Sequence, residues 1–126
     1  MDNFIKLVLE DGTYHILESE IKFVQWYDDP LNAISLICNY GQLYLIPHDY
    51  NGDLAPSAEP AYRNEPILSK LVQTWMNTRN HAGLTYINPL SVNTLICKLD
   101  GTYVIHFKNG QRMDCSQLNT KANFKI

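Results

Sequence analysis

The sequence predicts a mainly β domain: antiparallel strands and hairpins with one amphipathic α-helix packed on the sheet. Three observations lead there. Short runs rich in β-branched and aromatic residues recur along the chain, Gly- and Asn-bearing turn signals separate them, and a single stretch places apolar residues at helical spacing. The 126 residues fit one domain, 1–126, and a composition of 45% hydrophobic and 18% charged residues is that of a chain with a buried core.

Phe4–Leu9 and residues 13–17 flank Glu10-Asp11-Gly12 and read as a first hairpin. Residues 21–26 continue in extended form until Asp28-Asp29-Pro30, where proline has no N–H to give a ladder. Residues 33–38 and 42–46 form a second hairpin around Asn39-Tyr40-Gly41. Residues 47–66 hold four prolines and follow neither period, so an irregular excursion is expected there. Ile67, Leu68, Leu71, Val72, Trp75 and Met76 then recur at helical spacing, which predicts a helix over 64–80. Asn64 stands as its N-cap, Pro66 in its first turn and Gly83 as its stop. Strands follow at 84–87 and 92–99. A third hairpin pairs 102–107 with 111–115 across Asn109-Gly110, read as a two-residue turn. Residues 116–126 form a polar tail. Leu36-Ile37-Cys38 and Leu95-Ile96-Cys97 look alike, a match short enough for common strand preferences to produce.

Several function classes lack their sequence marks. No GxSxG, Walker loop, GxGxxG or HExxH occurs, and Asp28-Asp29 would point to opposite faces of an extended segment, so no enzyme is expected. Cys38, Cys97 and Cys115 are odd in number and lie in strand-like runs, which predicts buried free thiols. His15, His48, His81 and His106 are scattered, and with no CxxC or HxxH neither a metal nor another cofactor is expected. No apolar run approaches the roughly 20 residues of a membrane span, and the N-terminal residues lack a secretory signal, so a cytoplasmic protein is expected.

The net charge of −3 hides an asymmetry. Residues 1–69 carry three basic residues against eleven acidic ones, whereas residues 70–126 carry seven against two. A phosphate-facing surface would therefore come from the C-terminal half, since phosphate attraction follows local charge. Charge alone favours a solvated face with no partner.

Residues 5–116 resemble the LytTR family of β-rich DNA-binding domains. Glu20-Ile21-Lys22-Phe23-Val24-Gln25 stands where that family has an I-x-x-I/F-E strand, and Ile87-Asn88-Pro89-Leu90-Ser91-Val92-Asn93 stands for its H-R-S-Y-x-V-N segment. Thr102-Tyr103-Val104-Ile105-His106-Phe107-Lys108-Asn109-Gly110 matches its closing hairpin, and Cys115-Ser116-Gln117 its V-S-R close. The resemblance implies a sequence-specific transcription regulator, here a stand-alone module, that reads double-stranded DNA through loops. It places base contacts near Asn32, at Asn88 and at Gln117, and phosphate contacts at Lys108, Arg112, Lys121 and Lys125; amide side chains can bond an adenine edge in pairs. The chain departs from the family by losing the His, the Arg and the first Ser of H-R-S-Y and by its longer 47–66 excursion, so recognition would run with fewer charge-assisted contacts. The alternative expectation is a non-enzymatic module that keeps the fold but binds a protein, through its acidic half and Tyr50 and Tyr62.

Overall fold

The computed structural model describes residues 3–9, 11–28, 31, 33–46 and 59–120. β1 (Phe4–Leu9) and β2 (Gly12–Leu17) form a two-stranded antiparallel sheet in the register Val8 to Thr13. β1 alternates strictly: Ile5, Leu7 and Leu9 are buried, while Phe4, Lys6 and Val8 face outward. A 3₁₀ turn, Glu18–Glu20, leads into β3 (Ile21–Tyr27), β4 (Ile34–Cys38) and β5 (Gln42–Ile46). A short strand β6 (Glu59–Pro60) lies parallel to β5 and opens directly into α1 (Ala61–Leu71). A 3₁₀ turn, Val72–Thr74, carries the chain to β7 (Met76–Arg79) and β8 (Gly83–Ile87). After another, Pro89–Ser91, come β9 (Val92–Cys97), β10 (Tyr103–Phe107) and β11 (Arg112–Cys115).

Among the described residues the fold is mainly β with one α-helix, as the sequence predicts. β3 to β8 make a six-stranded sheet in the order β6-β5-β4-β3-β8-β7, and β9 to β11 a three-stranded meander in the order β11-β10-β9. Successive side chains leave a strand on opposite faces, so the six-stranded sheet serves two cores. Val24, Ile34, Leu36 and Leu45 pack against Leu68, Val72 and Trp75 and against Ile5, Leu7 and Ile16 of the first hairpin. On the opposite face Phe23 and Met76 both register with Ile87, and the three join Ile105, Phe107 and Cys115 of the meander.

The helix departs from expectation at both ends. It begins at Ala61, so residues 59–66 are ordered structure rather than excursion, and Pro66 sits inside the helix; residues 47–58 lie outside the described residues. Asn64 is no N-cap. It is fully buried, its Oδ1 accepting from Val8 N–H at 2.8 Å and its Nδ2 donating to the Val8 carbonyl at 3.0 Å. The expected second half of the helix is instead a strand. Trp75 turns extended, with φ −82° and ψ 150°, and burial then alternates from Met76 through Thr78 while β8 takes the backbone bonds. Asn77 and Thr78 have little helical preference to resist this. Gly83, expected as a helix stop, opens β8 with φ +151°; a Cβ there would lie 2.0 Å from the Trp26 carbonyl oxygen. Cys38 and Cys115 are buried as expected, but Cys97 is exposed, because it ends an outer strand of the meander.

Candidate nucleic-acid interface

The meander is built from one turn used twice. Lys98 N–H donates to the Thr102 carbonyl at 2.9 Å and Gly101 N–H to the Lys98 carbonyl at 3.1 Å; Phe107 N–H donates to the Gln111 carbonyl at 2.8 Å and Gly110 N–H to the Phe107 carbonyl at 3.0 Å. Both loops thus hold three residues, 99–101 and 108–110, and end on a glycine with φ +88° or +92°. The expected two-residue Asn-Gly turn is therefore a three-residue loop, with the positive φ confined to its last position. In each, the middle side chain accepts from the amide two residues on: Asp100 Oδ1 from Thr102 at 2.9 Å and Asn109 Oδ1 from Gln111 at 3.0 Å. The Thr102 hydroxyl also donates to Asp100, at 2.6 Å, and these bonds hold that carboxyl below its usual range. The Leu36-Ile37-Cys38 strand turns differently, Cys38 N–H donating to Gly41 across two residues, so the two similar segments share strand composition but not turn geometry.

This geometry sets exposed Lys98 at one end of the meander and exposed Lys108 at the other. The Lys108 tip is fixed: its N–H donates to the Ser91 carbonyl at 2.8 Å, and Gln111 Oε1 accepts from the ammonium of buried Lys22 on β3. Arg112, next along, registers with His106 on β10 and forms an exposed ion pair with Asp114 at 3.0 Å.

Asn88 lies close to this tip but its carboxamide is spent inside the protein. It is fully buried, its Nδ2 donating to the carbonyls of Glu18 and Ile21, both at 2.8 Å, and its Oδ1 accepting from Leu90 N–H at 3.0 Å. The expected base contact at Asn88 is thereby corrected: the side chain caps the 3₁₀ turn and ties it to β3. Gln117 is exposed, with its carbonyl accepting from the Thr78 hydroxyl at 2.6 Å. It stands beyond Cys115, at the opposite end of β11 from the Lys108 tip, and the strand between spans about 13 Å. Lys108 and Arg112 are thus brought together and Gln117 is kept apart. Asn32, Lys121 and Lys125 lie outside the described residues. Lys98 and Lys22 are the cations that the sequence-level site omits. Lys98 had a readable signal, since Lys-Leu-Asp-Gly repeats the turn pattern of Phe-Lys-Asn-Gly; nothing in the sequence marks Lys22, whose partner is 89 residues away.

Among the described residues no helix is long and apolar enough to cross a membrane, and no group of His, Cys, Asp and Glu is placed to hold a metal ion.

No family model matches the chain, and no curated protein matches it. Among solved structures, a LytTr DNA-binding domain from Bacillus cereus is similar with a TM-score of 0.47 and 16% sequence identity, over 91% of this chain and 87% of that one. Similarity of that degree leaves function to be argued from the chain's own residues.

Proposed function

We propose that the chain is a double-stranded DNA-binding domain of LytTR type acting in transcription regulation, with the meander as its DNA-facing element. The observation that carries this is the placement of cations: a chain of net charge −3 sets Lys98 at the base of one hairpin loop and Lys108 on the other, at the two ends of one sheet, with Arg112 on its edge strand. Loops that project side chains from a rigid sheet suit phosphate contact, which depends on local rather than total charge. In this reading Lys108 and Arg112, with Lys121 and Lys125, meet phosphates, and Gln117 and Asn32 meet base edges.

A gel shift with duplex DNA tests it. Binding is expected at about 50 mM salt, to fall steeply by about 200 mM. If no duplex is bound at the lower salt, the DNA reading is lost. A protein-interaction module then takes its place, favoured by the outward face of the first hairpin, where Phe4 is 65% and Val8 38% exposed.

A further inference from the structure

Away from the meander, on the helix side of the six-stranded sheet, lies an open cleft of about 550 Å³, a volume in the range of small-ligand sites. Its floor is set by strand register. Trp26 pairs with Leu84, and Tyr86 with Asn77, so the four side chains share one face of β3, β8 and β7. The Trp26 and Tyr86 rings meet edge to face, 5.6 Å between centroids. α1 ends its cover of the sheet here, and its exposed Glu65 forms the opposite wall; Asp28 closes the end of β3.

The chemistry of this lining is specific. Trp26 and Tyr86 line the cleft together with the carboxylates of Glu65 and Asp28, and an aromatic ring attracts a cation electrostatically. The Asp28 carboxylate already accepts from a guanidinium, that of Arg79 at 2.8 Å. With one cation against two carboxylates, the described charged groups at the cleft keep a net charge of −1. A low-dielectric floor beneath unbalanced negative charge concentrates cations at that spot.

We propose that this cleft is a binding site for an organic cation, a guanidinium or alkylammonium group on a short apolar stem. The stem lies along Leu84 and the aromatic floor while the head group faces Glu65. The proposal is independent of DNA binding, and its failure would leave that reading untouched.

Agmatine is a suitable probe, with N-acetylglucosamine as a neutral comparator. The two tryptophans make the test local, because Trp26 is in the cleft and Trp75 is 2% exposed in the core. In nitrogen-15 NMR, agmatine is expected to move the Trp26 indole signal saturably and leave that of Trp75 in place. Glu65→Gln removes an exposed charge without touching the core and is expected to weaken binding roughly two- to fivefold at low salt. Absence of a saturable shift at Trp26, equal affinity in wild type and Glu65→Gln, or preference for the neutral sugar would each overturn the proposal.

Discussion

A carboxamide can donate and accept at once, and α1 sets one where the edge of β1 needs both. Asn64 does for Val8 what a neighbouring strand would do, and it is buried in doing so. Asn64→Ala leaves the part-buried N–H and carbonyl of Val8 unpaired, with an expected loss of about 1 to 3 kcal/mol in urea unfolding. Asn88 is a second amide of this kind. Asn88→Ala is expected to lower stability by about 1 to 3 kcal/mol while leaving any preference among DNA sequences unchanged; a sequence-dependent loss in a gel shift would restore Asn88 to the recognition surface. The thiols divide in the same way by surroundings. Burial pushes the Cys38 and Cys115 thiols up from their ordinary range, so thiolate is scarce there near pH 8, whereas Cys97 is exposed. Iodoacetamide on the folded protein is expected to label Cys97 first, as peptide mass spectrometry would show.

At the scale of elements, the apolar stripe from Leu68 to Trp75 is a core face although only its first part is α-helical. Leu68→Ala and Trp75→Ala are each expected to cost about 2 to 5 kcal/mol, with Leu71→Ala less because Leu71 is only half-buried; equal urea midpoints for all three would contradict this packing. Gly83→Ala is expected to destabilise by about 3 kcal/mol, since its Cβ would meet the Trp26 carbonyl oxygen. Strands and hairpins were legible in the sequence because alternation and turn residues are local. The end of the helix was not. Leu71, Val72, Trp75 and Met76 satisfy a 3.6-residue period, and only the presence of β8 alongside turns residues 76–79 into a strand. The role of Asn64 was hidden for the same reason: a cap uses neighbours in sequence, while its partner Val8 is 56 residues away. The cations of the candidate interface were visible as a count, but their distribution over two ends of one sheet is a product of the meander.

For the whole molecule, the uneven charge predicts a behaviour that the net value conceals. If the meander meets phosphates, Lys108→Ala is expected to weaken binding to all duplexes alike and to lower the salt slope by about 1 in a titration over salt. An unchanged slope would remove Lys108 from the contact set. The division into two cores has a consequence for motion. β9 to β11 share one apolar cluster with Phe23, Met76 and Ile87, and the first hairpin and α1 share another on the far side of the same sheet. Few described polar bonds fasten the meander and its flanking residues to that sheet, among them the Ser91 hydroxyl to the Lys22 carbonyl, Lys22 to Gln111, the Thr78 hydroxyl to the Gln117 carbonyl, and the reciprocal backbone pair of Asn77 and Asn119. Such a unit can open on its own at less cost than the whole fold. Amide hydrogens of β10 should therefore exchange with solvent deuterium faster than those of β3 and β4, and the part that carries Lys98 and Lys108 would come loose before the centre of the six-stranded sheet.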